Sequence, residues 1–332
     1  MIRYLRQQQV DKQKWDNCVA ASNEGVMCML SWYLDIVSPG WHALVDEEGS
    51  IYASVLPLTG TNKLGFSRLG SPHFCQQLGL ASVNPETNIT LLGQFLKEVT
   101  KRYRFIHNYK FLTENSAALE HLTATFHLKP RHTRYLALDK PYPEIYKGYN
   151  HDRKMNLKRA RRAGLVMTES GDIEPMLDFF KKHVAHKVVG GVEEPTYQML
   201  RDLFSNMLSR GLCRLLYTSK DGKLNAGCLF AKYKNKISYT FNAADEVGRV
   251  ANGRTLMLDE MIRQHAASAY TLDFESPAIE QIDAFYASFG SEKAQYYALN
   301  YNNLPLPIRL IRDLRIYAYR TLSPNKGIAE EA

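Results

Sequence analysis

The segment from Leu272 to Tyr297 constrains the fold of this chain most, because it combines two strand patterns and one helix pattern in a short run. Residues Leu272–Glu275 are predicted to form a strand that ends in acidic side chains. Ser276 is a good helix N-cap, and Pro277 suits the first helical position because its missing N–H is not needed there. The apolar face of the predicted helix comprises Ile279, Ile282, Tyr286 and Phe289. An aromatic-rich strand is predicted after it, at residues 294–299.

This segment resembles the C-terminal part of a GNAT-type N-acyltransferase domain, and more narrowly the Fem family, whose members carry two such domains in tandem. In that family an aspartate-bearing strand precedes a helix with the motif F-Y/F-x-x-F-G, and a second strand follows. The matching residues are Asp273, Phe285-Tyr286 and Phe289-Gly290. The resemblance implies an α+β fold with two tandem GNAT-like domains, each a mostly antiparallel central sheet flanked by helices.

A second stretch extends the resemblance to the first half of the chain. Fem-like proteins often carry a K-x-G…P-x-F-x-Q-Q-L-G run, which is matched by Lys63, Gly65, Pro72, Phe74, Gln76, Gln77, Leu78 and Gly79. Residues 104–138 also have a strand–helix–strand pattern that echoes the 272–299 segment, as expected for a tandem pair. We therefore predict a GNAT-like domain at residues 1–145, a second at residues 146–325 that opens with a basic helix, and a tail at 326–332.

Composition narrows the class of protein. Lys and Arg number 42 against 34 Asp and Glu, a formal net charge of +8. This balance favours anionic partners such as CoA phosphates, nucleotide-linked precursors or tRNA, although a mildly basic surface without a specific partner would look the same. Five scattered cysteines without a C-x-x-C pair predict reduced thiols in a cytoplasmic protein. No run approaches the roughly 18 apolar residues of a membrane helix, so no membrane span is expected.

Aromatic residues cluster around the turn at Pro39-Gly40: Trp32, Tyr33 and Trp41. They are either core anchors or one wall of an acceptor site. Phe74, Gln76 and Gln77, in the Fem-like run, are acceptor-site candidates as well, because the adjacent amides offer hydrogen-bond donors and acceptors. A purely structural loop remains the alternative.

The most basic stretch, residues 151–165, is predicted to be a helix that ends at Gly164. Lys154, Lys158 and Arg161 share one face of it. Fem proteins open their second domain with a similar helix, N-x-[KR]-R-x-[KR]-x-x-G, which is matched here from Asn156 to Gly164. These cations are candidates for binding phosphates of a donor or of a nucleotide-linked acceptor. The alternative is a solvated linker helix.

The donor loop is expected between residues 245 and 266, where GNAT enzymes bind the acyl-CoA pyrophosphate at the start of a helix. Gly248, Asn252, Gly253 and Arg254 are the donor-binding candidates. The strict [RQ]-x-x-G-x-[GA] pattern is absent, and Fem ligases with degenerate loops take the acyl group from aminoacyl-tRNA. The resemblance thus implies acyl-CoA or aminoacyl-tRNA as co-substrate, with no tightly bound cofactor. His183 and His186 lack further nearby ligands, so no metal site is predicted.

N-acyl transfer requires a neutral amine, a positioned acyl carbonyl and stabilisation of the developing oxyanion. Asp273 and Glu275 are candidate bases, because residues two apart on a strand point the same way. Tyr286 is the candidate acid for the leaving group, as the resemblance to GNAT enzymes implies. Structural roles are the alternatives: turn formation for the two carboxylates and core packing for the tyrosine.

Three functions remain open at the level of sequence. The first is a Fem/GNAT-type N-acyltransferase that transfers an aminoacyl or acyl group to an amine, a peptidoglycan precursor being the acceptor that the resemblance implies. The second is a catalytically silent protein that binds a CoA-like or nucleotide-linked ligand. The third, nucleic-acid binding through residues 153–162, has no sequence-specific DNA motif in its support, so DNA is not an expected partner.

Overall fold

The computed structural model describes residues 1–63, 66–84, 89–187, 191–277, 279–310, 312 and 314. Gly65 of the Fem-like run and the predicted tail at 326–332 lie outside the described residues. By compactness the chain divides into one unit formed by Met1–Arg131 with the residues from Gln295 onward, and a second formed mainly by His132–Ala294. The predicted domain boundaries at 145 and 325 stay predictions.

In its described part, the first unit contains strands of two sheets. Its helices are α1 (Lys12–Ala21), α2 (Ser31–Val37), α3 (Ile89–Arg102), α4 (Ser116–Glu120) and α5 (Thr123–Phe126). Its strands are β1 (Ile2–Arg6), β2 (His42–Glu48), β3 (Ile51–Leu58), β4 (Gly60–Lys63), β5 (Phe66–Leu69), β6 (Ala81–Ser82) and β7 (Phe105–Lys110). One sheet has the antiparallel order β1-β2-β3-β6. In the other, β5 pairs antiparallel with β4 and parallel with β7.

The second unit has one central sheet and seven helices in its described part. The helices are α6 (Tyr142–Gly148), α7 (His151–Arg162), α8 (Glu174–His183), α9 (Glu194–Ser209), α10 (Glu246–Val250), α11 (Gly253–His265) and α12 (Glu280–Ala287). The strands are β8 (Leu128–Ala137), which enters the unit at His132, β9 (Val166–Glu169), β10 (Cys213–Lys220), β11 (Lys223–Tyr233), β12 (Lys236–Ala244) and β13 (Thr271–Asp273). The last strand, β14 (Glu292–Asn302), continues into the first unit, where it pairs antiparallel with β7.

The sheet of the second unit has the order β8-β13-β12-β11-β10-β9. All of its pairs are antiparallel except β12 with β13. The β10–β11 hairpin turns at Asp221 and Gly222, whose φ angles of 51° and 74° fit the right-handed strand twist. Apolar side chains of the sheet, α11 and α12 form one buried core. The mixed α+β fold predicted from the sequence is confirmed.

Local details after β13 differ from the prediction. The strand ends at Asp273, before Glu275, and α12 begins at Glu280 with Ile279 as its N-cap, so Ser276 does not cap it. The reason is that Glu275 adopts the left-handed region, with φ 44°, which interrupts both the strand alternation and a direct entry into a helix. Gly290, shortly after the end of α12, has a φ of 78°, a left-handed value that glycine adopts without strain.

Candidate active site

The parallel strands β12 and β13 separate at their carboxyl ends. They pair only between Lys236–Ser238 and Thr271–Asp273, whereas β12 continues to Ala244. Thr240 is an extra residue in β12, because Leu229 pairs with Phe241 and Phe230 pairs with Tyr239. Carboxyl ends of diverging parallel strands form a crevice in which α/β proteins bind ligands. The predicted catalytic residues and Arg254 lie on segments around this crevice.

The start of α11 provides unpaired hydrogen-bond donors beside β12. Its N-cap, Asn252, has φ 60° and makes no side-chain capping bond. By contrast, α10 is capped by Asp245, whose Oδ1 accepts a hydrogen bond from the nitrogen of Gly248 at 2.7 Å. The uncapped first turn and the helix dipole favour an anion at α11, whereas the anion position at α10 is already taken by a carboxylate.

The two glycines of the predicted donor loop allow close packing inside the protein. A Cβ added at Gly248 would lie 2.1 Å from the carbonyl oxygen of Asn225. A Cβ added at Gly253 would lie 2.6 Å from Oγ1 of Thr218. Both glycines therefore let α10 and α11 approach the β10–β11 hairpin closely, a role that the sequence prediction did not consider.

A pocket of about 700 Å³ adjoins the predicted donor loop and lies between α8, the β10–β11 hairpin and α10. Lys182, Lys220 and Lys223 are among the residues that line it. Asn225, which is 2% exposed, also lines it, and its amide nitrogen has no hydrogen-bond partner among the described residues. The volume is in the range of small-ligand sites.

Arg254, in the first turn of α11, extends toward β12 and α12. Its Nη1 donates a hydrogen bond to Oδ1 of Asn242 at 3.0 Å. Its guanidinium carbon lies 5.3 Å from the centre of the Phe285 ring. Arg254 also interacts electrostatically with the Tyr286 hydroxyl. These contacts place a partly buried cation in the crevice, close to the predicted catalytic tyrosine.

Tyr286 is buried between aromatic rings. It stacks on Phe274 at 4.8 Å between ring centres and meets Tyr239 edge-on at 6.1 Å. Its hydroxyl has no hydrogen-bond partner within the described part of the chain. Burial raises the pKa of Tyr286 above its ordinary value, so the phenol remains protonated at neutral pH. Such a group can donate a proton to a leaving group.

The two predicted bases have different surroundings. Asp273 is 6% exposed, and its Oδ1 accepts hydrogen bonds from the Thr133 hydroxyl at 3.1 Å and the nitrogen of Glu275 at 2.8 Å. Glu275 is half-buried and close enough to Tyr286 to raise the pKa of that phenol. Because β13 ends at Asp273, the expectation that both residues lie on one strand is wrong.

Arg153 does not belong to the predicted set of phosphate-binding cations on α7, yet its side chain lies beside the crevice residues. It is only 5% exposed and forms the inner face of α7 with Leu157 and Ala160. Its guanidinium carbon lies 4.2 Å from the ring centre of Phe285 and 4.6 Å from that of Phe289. The i, i+4, i+7 spacing of these three inner positions was the available signal.

The three predicted cations of α7 occupy the neighbouring, outer face. Nη2 of Arg161 donates a hydrogen bond to Oδ2 of the buried Asp259 at 3.1 Å. Nζ of Lys154 donates to the carbonyl of Lys147 at 2.9 Å, and Lys158 is exposed. The exposed Arg161 is therefore already paired with a buried carboxylate.

The aromatic acceptor candidates of the first unit pack against other side chains of that unit. Trp41 is fully buried, its Nε1 donates to Oδ1 of Asp35 at 2.9 Å, and its ring lies 4.8 Å from that of Trp15. The partly exposed Trp32 contacts Tyr33 edge-on at 5.4 Å. The core-anchor alternative thus describes Trp41.

The Fem-like run of the first unit is held by its own hydrogen bonds. The Tyr33 hydroxyl donates to the carbonyl of Phe74 at 2.7 Å. Oε1 of Gln77 accepts from the nitrogen of Thr113 at 2.9 Å, while its Nε2 donates to Oε1 of Gln76 at 3.3 Å. These bonds shape the loop.

In the part of the chain that the structure describes, no group of three or more His, Cys, Asp or Glu side chains is arranged to hold a metal ion. None of the described helices is long and apolar enough to cross a membrane.

Comparisons with known proteins agree on the fold. Residues 151–276 match the family model described as an acetyltransferase (GNAT) domain. The chain therefore has the tandem GNAT-type fold that the sequence predicted, and residues 151–276 are similar to an acetyltransferase domain. A comparison with curated protein sequences gave no match.

Three solved structures illustrate this fold. A crystal structure of FemX has 13% identity and a TM-score of 0.63, covering 93% of this chain and 99% of that one. A tandem GNAT protein from the clavulanic acid biosynthesis pathway has 13% identity and a TM-score of 0.53, with 90% and 98% covered. A conserved protein of unknown function from Bacteroides thetaiotaomicron VPI-5482 has 12% identity and a TM-score of 0.54, with 90% and 100% covered.

Proposed function

We propose that the protein is an N-acyltransferase that moves an aminoacyl or acyl group from a phosphate-bearing donor to an amine, in the crevice between β12 and β13. The observation that carries the proposal is the position of Tyr286: a buried phenol without a hydrogen-bond partner among the described residues, beside Arg254 at the uncapped start of α11. This arrangement combines a proton donor with a positive environment for an anionic donor molecule.

In the proposed reaction the acceptor amine attacks the acyl carbonyl, so that a C–N bond forms and the C–O or C–S bond to the donor breaks. Tyr286 donates its proton to the departing oxygen or sulfur. Glu275, which lies near Tyr286, takes the proton that the amine loses, directly or through water. Asp273 acts as a positioning residue, since its carboxylate holds the turn that carries Glu275.

Two donors are consistent with these residues: acyl-CoA and aminoacyl-tRNA. Both carry phosphates, which suit the start of α11 and the lysines around the 700 Å³ pocket. The resemblance to Fem proteins supports aminoacyl-tRNA, and a nucleotide-linked peptidoglycan precursor is the acceptor that we propose to test first.

The test is a transfer assay on the full chain with each donor. Acetyl-CoA, longer acyl-CoAs and aminoacyl-tRNA are offered with UDP-linked peptidoglycan precursors and simple amines, and the acylated product is detected by mass. We expect product with one donor class and its loss in Tyr286→Phe. Saturable donor binding without any product would instead favour a catalytically silent binding protein.

A further inference from the structure

Two arginines of the second unit lie against one aromatic ring. The guanidinium carbon of Arg153 is 4.2 Å from the centre of the Phe285 ring, and that of Arg254 is 5.3 Å from it. The two side chains come from different helices, α7 and α11. The packing of the second unit therefore brings two positive charges together at a site that is largely closed to water.

Neither arginine is paired with a carboxylate among the described residues. Arg153 donates to the hydroxyls of Ser288 and Thr255, and Arg254 donates to the amide oxygen of Asn242. Three other arginines of this unit are paired with carboxylates: Arg134 with Asp283, Arg161 with Asp259, and Arg214 with Glu169. A buried charge without a counter-charge is unfavourable, so this pair differs from the structural cations around it.

The two guanidinium groups act on each other electrostatically. Burial, followed by the positive charge of Arg254, lowers the pKa of Arg153 to about 10. Burial also acts to lower the pKa of Arg254, but its interactions with Tyr239, Cys228 and Tyr286 outweigh that effect, so the pKa of Arg254 is raised. Thr255, which accepts a hydrogen bond from Arg153, lies in the uncapped first turn of α11, whose dipole adds positive potential. Within the described residues, the hydrogen bonds of the Arg153 side chain are donated by Nε and Nη1.

We propose that Arg153 and Arg254, together with the first turn of α11, bind an oxyanion of the substrate, a phosphate or a carboxylate, beside the Phe285 ring. Guanidinium groups match both oxyanions with two parallel hydrogen bonds, and the aromatic ring suits an apolar or planar group attached to the anion. The inference rests on the proposed function only for the identity of the molecule that carries the anion. Anion binding itself requires no turnover.

The experiment measures thermal unfolding of the full chain in phosphate, pyrophosphate or acetate, each compared with sodium chloride at equal ionic strength. We expect a saturable rise of the melting temperature with at least one of these anions. Phosphate or pyrophosphate as the effective anion would indicate a phosphate-bearing substrate, and acetate would indicate a carboxylate.

Arg153→Gln and Arg254→Gln are each expected to weaken the apparent affinity at least tenfold. Arg162→Gln, an exposed change on the same helix, should leave it unchanged.

A wild-type protein without an anion-specific rise would overturn the inference, and so would an unchanged rise in both Arg153→Gln and Arg254→Gln. If Arg153→Gln does not fold, Arg153→Lys, which keeps the charge, and Arg254→Gln carry the test. Anion binding that survives in a protein without transferase activity would count against the proposed function alone. Activity without anion binding would count against this inference alone.

Discussion

Oδ1 of Asp273 accepts a hydrogen bond from the backbone nitrogen of Glu275, two residues further along the chain, at 2.8 Å. The same oxygen accepts from the Thr133 hydroxyl, and Glu275 has a φ of 44°. The carboxylate of Asp273 therefore stabilises a turn in which the backbone leaves strand geometry. That turn brings Glu275 toward Tyr286. Within this three-residue segment, Asp273 holds the turn, whereas Glu275 has the proposed role in proton transfer.

Two substitutions of Asp273 should behave differently. Asp273→Ala leaves the buried donors of Thr133 and Glu275 without an acceptor, and we expect a loss of about 1–3 kcal/mol in the free energy of unfolding. Asp273→Asn keeps an acceptor oxygen, so its stability and most of its transfer rate should remain. Urea unfolding and the transfer assay measure both quantities. A fully stable Asp273→Asn protein without activity would show that Asp273 is the base and not a positioning residue.

The hydroxyl of Tyr286 should matter for the reaction and little for stability. Because it has no hydrogen-bond partner among the described residues, Tyr286→Phe should unfold within about 0.5 kcal/mol of the wild type. Its kcat should fall on the order of 10²-fold or more, as expected for loss of a general acid. Since burial raises the pKa of Tyr286, the acid should remain protonated in assays up to pH 9.

Tyr217→Phe is the matched control for this experiment. The Tyr217 hydroxyl donates to the carbonyl of Asp172 at 2.8 Å, so its removal should cost about 1 kcal/mol of stability. The transfer rate should not change. If both tyrosine variants kept full activity, Tyr286 would not be the proton donor.

Elements that depend on local spacing are predictable from the sequence. The helix at residues 151–162 follows from its periodicity, and the hairpin at Asp221-Gly222 follows from its turn residues. The turn after β13 is different, because it depends on Thr133, which is 140 residues away in the chain. Burial of Arg153 likewise depends on Ser288 and Phe285, so charge alone suggested a solvated side chain.

Gly248 should tolerate no side chain. An added Cβ would lie 2.1 Å from the carbonyl oxygen of Asn225, a backbone atom that cannot move independently of β11. We expect Gly248→Ala to lower the free energy of unfolding by about 1–3 kcal/mol. Gly93→Ala in α3 is the control, because the nearest atom there is a Leu122 methyl group at 3.7 Å. That change should be neutral or stabilising by up to about 1 kcal/mol. Equal stabilities of the two variants in urea unfolding would contradict the close approach of α10 to β11.

The pairing of Arg134 with Asp283 should make stability depend on acid pH. Nε and Nη2 of Arg134 donate to the two carboxylate oxygens of Asp283 at 2.8 and 2.6 Å. These hydrogen bonds lower the pKa of Asp283 in the folded protein. A lowered pKa stabilises the fold above the unfolded-state value, near 3.9, and the contribution disappears as the pH falls through the lower, folded-state pKa.

We therefore expect Asp283→Asn to be less stable than the wild type by roughly 1–3 kcal/mol at pH 7, with a difference that shrinks below about pH 4. Urea unfolding from pH 7 to pH 2 measures this difference. Asp202→Asn, an exposed change in α9, should follow the wild type throughout. A difference for Asp283→Asn that stays constant down to pH 2 would show that the pair does not lower the pKa of Asp283.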